Sequence, residues 1–194
     1  MTRHDYIDAA LALSTLQNTQ KQWQALPVQD RIDHILKIAD LVYKNKEAWA
    51  RLASREMGKP IAQGRAEIDK SLRALREIPK LAPQILESKK RGNSEVRPES
   101  YGVVFSIQPW NFPFWQVLRL TACAWVTGHT VLLKHSDIVN ECAQALESVC
   151  DWQGQKLLTH IRISSEDVHT LIEKEKSVGL VTFTGSTEVG KLIA

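Results

Sequence analysis

Three short segments carry residues whose types and spacing could do chemistry. In the first, Asn111 is the polar side chain between Pro109–Trp110 and Phe112–Pro113–Phe114–Trp115, just after the apolar run Gly102–Val103–Val104–Phe105–Ser106–Ile107. A β-rich run that breaks at a proline-flanked turn and resumes as a helical pattern is a strand–loop–helix junction. Open α/β sheets bind ligands at such junctions, outside the carboxyl ends of their strands. Packing alone gives no reason for an amide among those rings. The second segment, Thr130–Val131–Leu132–Leu133–Lys134–His135–Ser136–Asp137, is a strand that ends in Lys134 and then a Ser/Asp pair able to start a helix. Alone, such a lysine reads as solvated surface. The third runs from Gly179–Leu180–Val181–Thr182–Phe183 through Thr184–Gly185–Ser186–Thr187–Glu188–Val189–Gly190. It reads as strand, glycine turn and helix, offering backbone N–H groups and the Ser186 hydroxyl to a phosphate. Its glycine spacing matches neither the dinucleotide fingerprint nor a Walker A loop, which also needs Gly-Lys-Ser/Thr.

The elements that must hold these segments alternate. Strands are expected near 102–107, 130–134, 159–163 and 179–183, with helices near 113–127, 137–150, 165–175 and 186–194. That order implies a parallel sheet with right-handed crossovers. Residues 1–25 read as polar and helix-forming. Ile32, Ile35, Leu36, Ala39, Val42 and Tyr43 share one helical face, with Pro27 at its entry and Asp30 in its first turn. Trp49, Leu52 and Ala53 lead to a stop at Gly58–Lys59–Pro60, and Ile61, Ile68, Leu72, Leu75 and Ile78 form a further helix ending near Pro79 or Pro83. The charged stretch from Ser88 to Ser100, with Gly92, Asn93 and Pro98, reads as a loop or exposed hairpin. The chain thus divides into a helical leader (1–87), this short hairpin (88–100) and an α/β part (101–194). No repeat or low-complexity segment appears.

Composition narrows the function. The 194 residues hold 25 basic and 22 acidic side chains, a net charge of +3 that gives no argument for nucleic acid. Lys89–Lys90–Arg91 is a solvated run. No segment has the apolar length of a membrane helix, and residues 1–25 lack a signal-peptide pattern, so a cytoplasmic location is expected. Cys123, Cys142 and Cys150 make neither a disulfide framework nor a zinc pattern, and no metal site is expected. Cys142 and Cys150 fall on the helical stripe Val139, Cys142, Ala143, Leu146, Val149, Cys150, and Cys123 lies among Leu120, Thr121 and Ala124. None has a local device to lower its pKa, so all three read as buried structural thiols rather than nucleophiles.

In their order and spacing the three segments resemble the amino-terminal half of the aldehyde dehydrogenase superfamily. The stretch Pro109-Trp-Asn-Phe-Pro-Phe-Trp-Gln-Val-Leu-Arg119, with Gly128 and Val131-Leu-Leu-Lys-His135, is most similar to the succinate-semialdehyde branch, and Glu56-Met-Gly-Lys-Pro-Ile61 resembles that family's helical leader. The resemblance implies a Rossmann-like cofactor domain and oxidation of an aldehyde to a carboxylate, with hydride passing to NAD or NADP. It implies Asn111 as the amide that stabilises the oxyanion. Lys134 would hydrogen-bond the adenosine ribose, with His135, Ser136 and Asp137 around the same pocket. Gly185 and Ser186 would meet the pyrophosphate, Val189 would lie against the adenine, and Ile107 and Trp110 would shape the channel. The Asp137 carboxylate should repel a 2′-phosphate and so favour NAD, an effect that Lys134 and His135 alongside could offset.

The family's nucleophilic cysteine and its Glu-Leu-Gly-Gly base segment both follow the Phe-Thr-Gly-Ser region, and neither occurs here. The sheet is therefore expected to be incomplete and the chain inactive alone. It would be a fragment of a dehydrogenase, one half of a split enzyme paired with a separate carboxyl-terminal half, or a nucleotide-binding or interaction module prone to self-association. Four departures accompany this. Residues 88–100 are short beside the hairpin through which the family pairs subunits. His129 stands where the family has Asn, Cys123 where it has Pro, and Asp151–Trp152–Gln153–Gly154 replaces a Gly-aromatic/Ile-Pro turn.

Overall fold

The computed structural model describes residues 3–193, so Ala194, the expected end of the last helix, lies outside the described residues. Helix α1 (Arg3–Gln24) buries Ala9, Leu13, Leu16 and Trp23 completely. Spacings of three, four and seven put them on one stripe, so this helix is a core element and more than the polar leader its composition suggests. Helices α2 (Val28–Lys44), α3 (Lys46–Met57) and α4 (Ile61–Glu77) present the expected apolar faces. Tyr43 departs from its face: in the last turn of α2 it is 60% exposed. Gly58 ends α3 at φ 72°, a left-handed conformation that glycine adopts without a Cβ clash. Pro79 and Pro83 break the chain into a 3-10 turn (Ile78–Leu81) and the short α5 (Ala82–Ile85). Strands β1 (Lys89–Arg91) and β2 (Ser94–Val96) then pair antiparallel as a wholly exposed hairpin.

The α/β part follows in order: β3 (Val103–Gln108), α6 (Trp115–Val126), β4 (Thr130–His135), a 3-10 turn (Asp137–Val139) and α7 (Asn140–Val149). An unexpected hairpin comes next, β5 (Asp151–Trp152) with β6 (Gln155–Lys156). Its turn residues Gln153 and Gly154 both have positive φ, at 51° and 78°, the signature of a two-residue hairpin turn whose twist suits its strands. Then come β7 (Leu158–Ile161), α8 (Ser165–Lys174), β8 (Val178–Phe183) and α9 (Thr187–Ile193).

The main sheet is parallel, in the order β7-β4-β3-β8. The chain builds outward from β3 through β4 to β7, then returns to the other side of β3, which makes β3 the switch point of the topology. Side chains alternate between the two faces. Val104, Val131, Leu133 and Leu158 join the larger core with α2, α3, α4, α6 and α7, whereas Val103, Phe105, Leu132 and Ile161 join a second core with α1 and α8. Strands covered on both faces read as near-continuous apolar runs, which is why β3 and β4 are legible in the sequence.

Two carboxylates tie the helical leader to the sheet layer. Glu67 on α4 is buried, and one of its oxygens accepts from the backbone N–H groups of Phe114 and Trp115 at 2.8 and 2.9 Å. Its other oxygen pairs with the buried ammonium of Lys59. Glu56 on α3 accepts from the N–H groups of Glu141 and Cys142 at 2.7 and 2.8 Å. The first N–H groups of a helix have no intrahelical partner, and here neighbouring helices supply one to α6 and to α7.

Candidate functional site

Three strands of the sheet end level with one another. Ile107 is in register with Lys134 on one side and Phe183 on the other. Above this row opens a cleft of about 430 Å³, lined by Ile107, Gln108, Pro109, Trp110, Lys134, Ser136, Asp137, Ile138, Phe183, Thr184, Gly185, Ser186 and Val189. Of the residues expected to bind a ligand, Ile107, Trp110, Lys134, Ser136, Asp137, Gly185, Ser186 and Val189 are thus brought together. The ammonium of Lys134 makes no hydrogen bond or ion pair with any described residue. At Gly185 a Cβ would come within 2.3 Å of the Phe183 ring, so this turn stays bare and its backbone approachable. The Ser186 hydroxyl accepts from the Val189 N–H at 3.3 Å, which leaves its own proton to donate.

His135 is not in the cleft, and this corrects the sequence reading. Lys134 and His135 are neighbours on a strand and must point to opposite faces. Lys134 shares a row with Ile107, and His135 turns toward α6 and is buried. Its Nδ1 accepts from the Ser136 N–H at 3.0 Å, which leaves Nε2–H to donate to the Pro113 carbonyl at 3.0 Å. Burial pushes this imidazole below its ordinary pKa, so it is neutral and offers nothing against the charge of Asp137. His135 instead fastens the 109–114 loop to β4.

Asn111 stands exposed on that loop, outside the row of cleft-lining residues. Gln116 Nε2 donates to its Oδ1 at 3.3 Å, so the carboxamide oxygen is held and the NH2 group is the free donor. The loop around it is clamped from several directions. Lys59 Nζ lies 4.1 Å from the centre of the Phe112 ring, and Phe114 stacks on Trp49 at 4.8 Å with 10° between planes. Glu67 and His135 hold its backbone as described above.

The family description for aldehyde dehydrogenases, the "Aldehyde dehydrogenase family", matches residues 1–194. The chain belongs to the aldehyde dehydrogenase family. It is 31% identical over 181 residues to the succinate semialdehyde dehydrogenase [NAD(P)+] of Escherichia coli, a match covering 89% of this chain. It is 31% identical over 180 residues to the succinate-semialdehyde dehydrogenase [NADP(+)] of Deinococcus radiodurans, covering 90% of it. Among solved structures it superposes on the succinic semialdehyde dehydrogenase of Streptococcus pyogenes, determined with NADP+, at a TM-score of 0.84 and 23% identity over all of this chain. The matched region spans 38% of the length of each of the two curated relatives and 43% of the solved chain.

Within this aldehyde dehydrogenase chain no thiol is prepared to attack. Cys142 and Cys150 are buried and desolvation pushes both thiols up, Cys142 further by its contact with Glu56. Cys123, expected to be buried, is exposed: its neighbours Ala122 and Ala124 take the inward face of α6 and leave it outward. Its thiol is also shifted up, desolvation outweighing the nearby Arg119. The described residues contain no His/Cys/Asp/Glu group able to hold a metal, and no described helix is long and apolar enough to cross a membrane.

Sequence reasoning missed Lys59, Glu56, Glu67, Gln116 and Arg162. A signal existed for Glu67: it occupies the same helical face as Gly64, Ile68, Ser71 and Leu72, where a carboxylate must have a partner. Arg162 lies 25 positions beyond Asp137 in the chain (162 − 137), yet its Nε is 4.0 Å from the Asp137 carboxylate because β7 neighbours β4.

Proposed function

We propose that these residues form the adenosine and pyrophosphate side of a nicotinamide dinucleotide site in a dehydrogenase that oxidises an aldehyde to its carboxylate. Succinate semialdehyde is the substrate class its relatives' names favour. The observation that carries the reading is the cleft above Ile107, Lys134 and Phe183, with an unpaired ammonium on one wall and a side-chain-free turn at Gly185 on the other. Lys134 holds the adenosine ribose, with Ser136 and Asp137 beside it. Gly185 and Ser186 take the pyrophosphate, Val189 the adenine side, and Ile107 and Trp110 the channel toward the reacting end. A bound nicotinamide supplies the hydride acceptor. Asn111, its oxygen held by Gln116, turns two amide protons toward a developing oxyanion.

The nucleophilic thiol and its base are not among these residues in this reading, since burial or desolvation raises all three cysteines. That favours a second description of the same site: by itself the chain binds nucleotide without oxidising anything. A cytoplasmic location and completion by further family sequence belong to the proposal. Relatives named for NADP+ and for NAD(P)+ give no support to the NAD preference expected from Asp137. Calorimetric titration with both dinucleotides tests the reading. Binding should be weak, and Lys134→Ala should weaken it by about 1.5–3 kcal/mol, the worth of a hydrogen bond to a charged group. Equal affinity in wild type and variant would reject the assignment.

A further inference from the structure

The ribose end of the cleft carries more positive charge than its lining residues alone suggest. Asp137 follows β4, and Arg162 follows directly on Ile161, whose register partner is Lys134. The Arg162 Nε and the Asp137 carboxylate are 4.0 Å apart, and both side chains are about two-thirds exposed, at 63% and 67%. At that separation the pair is an electrostatic contact and not a hydrogen bond, so the guanidinium keeps its N–H donors for another oxyanion. The groups that face this corner from adjoining elements are Lys134 and His135 on β4, His160 on β7 and Asp137 itself. Burial holds both imidazoles neutral, and the cations Arg162 and Lys134 press the His160 pKa down further, to about 4. The corner therefore holds two cations, Lys134 and Arg162, against one carboxylate, a balance of +1 that becomes zero without Arg162.

We propose that Arg162 is the residue that opens this corner to a 2′-phosphate, so that the cleft takes a dinucleotide phosphorylated on its adenosine ribose. The inference rests on the cofactor reading given above. With Arg162 absent, Asp137 would face the ribose against Lys134 alone and suit a free 2′-hydroxyl. With Arg162 present, the carboxylate is countered, and a planar guanidinium stands where it can engage two phosphate oxygens at once.

The test compares 5′-AMP with 2′,5′-ADP, which differ by that one phosphate, in calorimetric titrations at low ionic strength. Wild type should bind 2′,5′-ADP more tightly, and Arg162→Met should cut that preference about tenfold, the effect of one lost charge-assisted contact. Asp137→Asn should move the preference in the opposite direction. The exposure of Arg162 means that the Met variant keeps its fold, which an unchanged melting temperature would register. If wild type binds both ligands and the preference is the same in Arg162→Met, or if wild type prefers 5′-AMP, the role of Arg162 is overturned and the cofactor cleft stands. If wild type binds neither ligand, both are overturned.

Discussion

The two walls of the cleft are held by very different means. The wall formed by the end of β3, the 109–114 loop and the end of β4 is backed by the larger core and pinned by Glu67, Lys59, His135 and the Trp49–Phe114 stack. The wall formed by Thr184 to Val189 continues a strand that pairs only with β3 among the described residues. No described residue of β8 or α9 is classed as buried, and Leu180, Val189 and Leu192 are large apolar side chains left exposed. Local stability follows buried contacts. One wall is therefore preformed, while the other leans on a single strand pairing, and a ligand spanning both would gain most of its orientation from the first.

The largest test of that contrast removes the central pin. Glu67→Ala leaves Lys59 as a buried unpaired cation and strips a partner from the first turn of α6. Breaking a buried pair from one side costs about 3–5 kcal/mol, to be read as a lower midpoint in urea denaturation.

A smaller effect comes from acid, acting behind the same wall. His160 lies near His135, and burial pushes its pKa to about 4, below that of an unfolded histidine. The unfolded chain then binds the proton better than the folded one. Stability should be full above about pH 6.5 and fall as the pH drops from there through about 4, and His160→Gln should flatten that part of the profile. Partial exposure limits the loss to about 1–3 kcal/mol.

The smallest effect belongs to the other wall. Leu192→Ala, at a residue 74% exposed, should change stability by less than about 0.5 kcal/mol. If this substitution matched Glu67→Ala in the same denaturation measurement, the two walls would not differ as described.

Much of the architecture was legible because its cause is local. β3 and β4 announce themselves as apolar runs, α2 to α4 as stripes punctuated by Pro27, Gly58 and Pro60. The cleft was legible to the extent that its residues sit at strand ends. What stayed hidden depends on packing across the chain. Glu67 meets Phe114 47 positions away, and Arg162 meets Asp137 only because two strands lie side by side. His135 was misplaced for a local reason: a strand alternates its faces, so two successive residues cannot both enter one cleft. Cys123 follows the same logic on a helix, where its neighbours claim the inward face.

Helix α1 has a consequence for how the molecule is made. Its Trp23 Nε1 donates to the carbonyl of Trp125, 102 positions later, and the Thr130 hydroxyl donates to Leu16, 114 positions earlier. Its docking surface is thus translated long after the helix itself. At roughly 5–20 residues per second, the stripe of Ala9, Leu13, Leu16 and Trp23 waits on the order of 5–20 s outside the ribosome before β3 and β4 can cover it. During that interval the nascent chain shows a chaperone an amphipathic helix that the finished protein hides.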